Sequence, residues 1–523
     1  MKNEYDHAAA PSSTGPAVRR RRRGMLALVA SAGLVAALAV VVALAVAGGH
    51  AASAVASSSP GPTSLVGTVD AFKTAAASGG FTVQEGKLEV FDVAAMYDAG
   101  LIPSCWGYNS SAPYLSYKLP NAPGQTAPNN ISDAKLEPQN KDLWCDFRLR
   151  PDEAIVFIGK TPPECKYFSY RSYIGLRWIE KAKTKNKLRR IFASLGDTTS
   201  SVAINTTGTP KGSEGGSPFD QTTVIVTSAD KGTAARVKAA LVEAGYSDLI
   251  VNDDIIPPTL VRMGLLKQSD TFAFLNRVAY IKDQDASDAF FGGNQGTVLR
   301  LTPTQQTAPG DLQPQPVPPL KIRGTGNTDE FTLKATLEEL RAAIVAKYSK
   351  YTPDELDTSI WVGSGYDAIQ QNGDALAENR DTTYLRSDDF RLPDDPGQFA
   401  IVYGVNHAAF GKVLYSSFGA YSEKTNAGVG AVAGTVLEGT AEAYLPGNPL
   451  AKYLYVWRVA RSDAGDPNTL VINPGSTAET IGYKDRIFLG FRAYVEPSTK
   501  VGPVYEELVY DRVIKFAPRK SGK

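Results

Sequence analysis

Residues 19–47 constrain this chain more than any other stretch. Five consecutive arginines, Arg19 to Arg23, precede Met25 to Ala47, an apolar run of 23 residues without a charge. A helix of that length crosses a bilayer core of about 30 Å, and the cationic flank stays on the cytoplasmic side. Everything beyond about residue 50 is therefore expected outside the cytoplasmic membrane. Two fates of the segment stand side by side. Its length favours an anchor on the outer face of that membrane, because the apolar region of a cleaved signal runs to about 7–15 residues. Ala52-Ser53-Ala54 fits a small-residue cleavage site, and Arg22-Arg23-Gly24-Met25-Leu26 loosely resembles a twin-arginine signal, which favours secretion after cleavage near Ala54.

The exported body is nearly neutral. The first 54 residues hold six basic and two acidic groups, which leaves 49 basic against 52 acidic beyond them. Nucleic-acid binding needs clustered Lys and Arg on one face, so no nucleic-acid partner is expected. Three cysteines, Cys105, Cys145 and Cys165, fall in one window of the N-terminal half. In an oxidising compartment two of them can pair, and Cys145 with Cys165 is the expected disulfide, with three reduced buried thiols as the other reading.

A chain of 523 residues exceeds one ordinary core, and its punctuation suggests how it divides. The expected order is a basic cytoplasmic tail (1–24), the anchor or signal segment (25–47), a flexible stalk (48–64), an N-terminal α+β domain (65–302), a Pro-rich linker (303–323) and a C-terminal α+β domain (324–523). The fold class is α+β: two β-rich domains with antiparallel or mixed sheets and a few packed helices.

The clearest local unit is a strand over Thr222 to Thr227, Ser228 or Asp230 as N-cap, and a helix from Lys231 to Ala244. Its apolar positions recur every three or four residues, and a strand at Leu249 to Asn252 completes a βαβ-like unit. Glu153 to Gly159 and Lys166 to Tyr173 read as strands on either side of a Pro162-Pro163 corner, Ile191 to Thr199 continues this β scaffold with a bend at Leu195 to Thr198, and Cys105 to Asn109 has aromatic strand character. Further on, helices are expected over Thr332 to Lys347 and Tyr366 to Asn379. Beyond Phe399 the pattern is antiparallel strand, with Tyr453, Tyr455 and Trp457 on one face and one side wetter than the other.

Histidine scarcity limits the chemistry. Of three histidines, His7 and His50 lie at the N-terminus, and only His407 belongs to the exported body. Zinc sites built on several His or Cys are excluded, no Asp-rich calcium loop or Gly-rich phosphate loop is present, and no metal or cofactor is expected. His407 follows an apolar strand and precedes a Gly turn, where a scaffold can present a general base. Glu378, Arg380 and Asp381 form a second cluster, able to clamp an anion or orient a base, or simply to lock a helix end. An extracellular hydrolase or lyase using His407 with these three is one expectation. The other is an exported envelope or secreted protein that binds a polymer, glycan or partner protein through an aromatic β surface, with Tyr167, Tyr170, Trp178, Tyr415 and Trp457 as contacts.

Overall fold

Alternating apolar residues in long runs give strands here, and few stretches have helical period. The computed structural model describes residues 65–110, 112–184 and 187–519, which build a mixed α+β architecture of three sheets with few helices. The readings for the basic tail, the apolar run and the stalk fall outside those residues. Among the described residues no helix is long and apolar enough to cross a membrane.

The first sheet has ten strands. Its central path runs Leu188–Ser194, Cys165–Trp178, Phe272–Ile281, Tyr114–Lys118, Phe81–Val90, Gly296–Pro303, Ala154–Lys160, Thr222–Ser228 and Val251–Ile255, with Thr199–Ser200 paired beside Cys165–Trp178. All pairs are antiparallel except Thr222–Ser228 with Val251–Ile255. There the helix Lys231–Glu243 makes the expected crossover. Asp230 caps it by accepting from the Thr233 amide at 2.7 Å, and Val237 and Leu241 face the sheet residues Val224 and Val226. Burying two such side chains contributes about 1.5–3 kcal/mol each.

This sheet curls back on itself. Phe157 and Tyr170 sit on strands five steps apart in the order, yet their rings lie 6.0 Å from each other. The inside of the curl holds Tyr117, Phe157, Phe168, Tyr170 and Phe274 in one core, and the helices Val69–Ser78 and Lys231–Glu243 cover part of the outside.

The remaining two sheets form a sandwich. One orders Tyr351–Leu356, Arg512–Pro518, Phe399–Val405, Leu454–Ala460 and Thr469–Val471, and the other Thr358–Ile360, Thr382–Ser387, Ile487–Tyr494, Tyr415–Ser422 and Gly428–Ala433. Val402, Tyr455 and Trp457 of the first meet Phe418, Leu489 and Phe491 of the second. Leu454 and Val456, on the opposite face, pack under Leu337, Leu340 and Ile344 of the helix Lys334–Lys347. The expected wet side is therefore absent from Leu454–Ala460. Every residue of that strand is buried, because a helix covers one face and a sheet the other.

Other local readings change for identifiable reasons. Cys105 to Asn109 is a turn, with Trp106 and Gly107 both at positive φ. The helix expected over Tyr366 to Asn379 is only Gly365–Gln371. Asn372 adopts the left-handed conformation, and the chain then runs along the sheet edge, with the Ala375 and Ala377 amides donating to the Ile191 and Phe192 carbonyls. Edge pairing has displaced helical hydrogen bonding.

The structure does not join Cys145 to Cys165. All three cysteines are free and buried, Cys105 and Cys145 in one apolar cluster and Cys165 in another. Burial pushes the Cys105 and Cys165 thiols up to about 12 and raises Cys145 further. An aromatic disulfide reagent near pH 8 is therefore expected to leave all three unlabelled in the folded protein and to label all three after denaturation without reductant. A thiol count of one after denaturation would show that a disulfide forms.

Candidate functional site

The site-residue readings separate into two places in the structure. His407 begins a single helical turn, His407–Phe410, after the strand Phe399–Val405. Its Nδ1 lies 2.7 Å from Glu330 Oε1 and its Nε2 3.9 Å from Asp511 Oδ2, and the ring is buried. Burial by itself would lower its pKa, but the Glu330 and Asp511 carboxylates overcome that and raise it to about 10. At neutral pH this imidazole is a buried cation between two acids. It has no lone pair with which to act as a base. Among the described residues no hydrogen bond or ion pair connects it with Glu378, Arg380 or Asp381.

Those three lie at the junction of the curled sheet with the sandwich. Asp381 is buried, and its Oδ2 accepts from the hydroxyls of Thr198 and Tyr167, the latter at 2.9 Å. Burial raises its carboxyl above the ordinary range. Glu378 and Arg380 flank a cleft of about 630 Å³, a size suited to a small ligand.

Segments far apart in the sequence make this cleft, and four of them supply most of its lining. The strand Leu188–Ser194 and the turn after it bring Ser194 and Asp197. The strand Val251–Ile255 and the following loop bring Ile255, Pro257 and Leu260. The end of the Pro-rich segment brings Val317 to Leu320 and Arg323, and residues 362–384 bring Val362, Ile369, Glu378 and Arg380. The Pro-rich wall is fastened at Lys321. Its amide donates to Asp197 Oδ2 at 2.7 Å and its carbonyl accepts from Arg380 Nη2 at 2.6 Å, while Arg380 Nε holds Asp197 Oδ1 at 2.6 Å. One ion pair thus grips both backbone groups of a single residue.

The floor is polar. Glu378 is 5% exposed and accepts from Ser194 Oγ at 2.8 Å. Burial raises its carboxyl above the ordinary value, against the Ser194 hydrogen bond and the charges of Arg323 and Arg380, which pull it down. Gly365 permits this placement, since a Cβ there would stand 2.3 Å from Glu378 Oε2. The rim is apolar: Val317, Leu320 and Tyr366 are 47%, 43% and 49% exposed.

The aromatic residues expected on a binding surface are inside. Tyr167, Tyr170, Tyr415 and Trp457 are all buried, and Trp178 is half-buried at the end of its strand. Tyr167 and Tyr415 both pack against Tyr494, where the curled sheet meets the sandwich. Alternation placed them on faces, and those faces are covered by other elements of the same chain. Of the residues read as a site, Glu378 and Arg380 line the cleft. Arg323, Ser194 and Tyr505 were missed, and only the apolar end of the Pro-rich segment carried any signal for them.

No family model matches the chain, and no curated protein matches it. Among solved structures, an uncharacterised protein from Burkholderia cenocepacia shares 10% identity over 85% of this chain and 86% of its own, with a TM-score of 0.36. A likeness that slight carries neither fold nor function.

Proposed function

We propose that this is an exported cell-envelope or secreted protein that binds a ligand within the cleft between the curled sheet and the sandwich. The export reading rests on the arginine-flanked apolar run at residues 19–47. The observation that carries the binding reading is the cleft itself: about 630 Å³, with three large apolar side chains left exposed at its mouth and polar groups converging on its floor. An occupant with an apolar body covers Val317, Leu320 and Tyr366, which the described residues leave about half exposed. The strand aromatics serve packing in this reading, and the ligand is one that enters a cleft rather than one laid along a flat β face. His407, held as a cation, has no part in it.

A neutral fluorescent dye, N-phenyl-1-naphthylamine, tests the reading. It is expected to brighten on binding the wild type, and Val317→Asp with Leu320→Asp is expected to weaken it at least tenfold, since a charge at each position opposes an apolar occupant. Both side chains are exposed, so the fold should tolerate the change. Equal binding by wild type and the double variant would place the dye elsewhere and remove the proposal's support.

A further inference from the structure

Among the described residues, sorting the charges at the cleft leaves one cation over. Arg380 is spent on Asp197 at 2.6 Å. Arg171 is spent on Asp254 at 3.0 Å and on the Ile255 carbonyl at 2.9 Å. Asp253 faces outward to Lys238 at 2.7 Å. Arg323 is different. Its Nη2 donates to the carbonyls of Arg380 and Thr382 at 2.7 and 3.0 Å, its Nε is buried without a hydrogen-bond partner, and no carboxylate among the described residues lies within ion-pair distance of it. A guanidinium with spare donors in a partly closed site is set up for an oxyanion, which it meets through directional charge-assisted bonds.

Among the described residues the remaining acid, Glu378, forms no ion pair with it. Glu378 is buried against Ser194, and burial favours its neutral form, in which a carboxyl can donate as well as accept. Above this floor the walls are apolar, from Leu260 and Ile369 up to Val317 and Leu320 at the mouth.

Resting on the cleft-binding reading, we infer that the ligand is an amphiphile with a single anionic head, a carboxylate or phosphate monoester, seated at Arg323, and an apolar body running out along the Val317–Leu320 wall. The head meets the edge of the Arg323 guanidinium that makes no hydrogen bond with the described residues. The tail covers the exposed rim.

Three probes with one tail and different heads decide this: dodecanoate, dodecanol and dodecylammonium, each competing with the neutral dye on the full chain. The expected order is dodecanoate at least tenfold tighter than dodecanol, and dodecylammonium weakest. Arg323→Gln is expected to abolish the preference for dodecanoate over dodecanol, and Arg323→Lys to keep part of it. Because Arg323 also ties two backbone carbonyls, the wild-type order is a test that needs no variant. Three equal affinities, or the ammonium binding best, would overturn the anionic head and leave the cleft-binding reading standing. Failure of the dye itself to bind would take down both.

Discussion

Replacing His407 with alanine is expected to cost about 3–5 kcal/mol at pH 6, because it strands two buried carboxylates without their cation. Glu330 has a second duty that makes the loss larger than one contact, since its Oε2 also accepts from the Val509 amide at 3.1 Å. Asp511 likewise holds the Tyr455 hydroxyl at 2.6 Å. The pH signature follows from the sign of the shift. A histidine whose folded pKa is raised from 6.5 to about 10 contributes fully below pH 6.5, and the contribution falls away as pH rises toward 10. The slope is about 1.4 kcal/mol per pH unit for one proton, so up to about 4–5 kcal/mol is at stake across that window. The buried thiols act in the same direction but begin only near their unfolded value of 9, well above the pH at which the His407 contribution starts to fall. Because His407 is the single histidine beyond residue 50, the imidazole resonances of a chain beginning after residue 50 report this group alone. They are expected to hold the protonated shift through pH 8; titration near 6.5 would show that the paired geometry is not kept in solution.

His407 also shows what sequence reading could and could not reach. Scarcity and a strand-end position singled it out as a candidate base, but its partners Glu330 and Asp511 stand 77 and 104 residues away, in a short helix and a loop with no motif of their own. The strand Ala154–Lys160 and the helix Lys231–Glu243 were legible because period and caps are local. The aromatic faces were legible as faces only. Alternation places Tyr455 and Trp457 together, yet whether water or another sheet lies opposite depends on Phe418 and Phe491, far away in the chain. The cleft was least legible, since each wall is a loop or strand end and the ion pair that closes it joins Asp197 to Arg380 across 183 residues. Reading Pro303 to Pro319 as a linker captured its extended composition, but not the grip on Lys321 that makes the residues just beyond it a wall.

The second large effect concerns a cation with no acid beside it. Arg492 is buried in the face of the sandwich that meets the curled sheet, and no ion pair among the described residues includes it. It lies over the rings of Tyr421, Trp361 and Tyr384 at 5.3, 5.5 and 5.6 Å, and its Nη2 donates to the Gly107 carbonyl at 2.6 Å. Aromatic faces and a backbone dipole replace a carboxylate here, and a delocalised guanidinium accepts that exchange better than an ammonium. The Gly107 turn belongs to the first half of the chain and Arg492 to the strand Ile487–Tyr494, so one side chain ties the two. Arg492→Met is expected to cost about 3 kcal/mol: the Gly107 carbonyl and Tyr421 hydroxyl lose their donor, the ring contacts go, and the thioether recovers part of the packing. Arg492→Lys keeps the charge but cannot reach both partners, so it is expected to recover less than half of that loss. Denaturant midpoints of the two variants, with Tyr421→Leu alone and combined with Arg492→Met, measure the coupling. An interaction of about 1 kcal/mol between positions 421 and 492 is expected if the ring and the hydroxyl act on the cation. Strict additivity, or full rescue by lysine, would mean that charge or volume alone holds Arg492 in place.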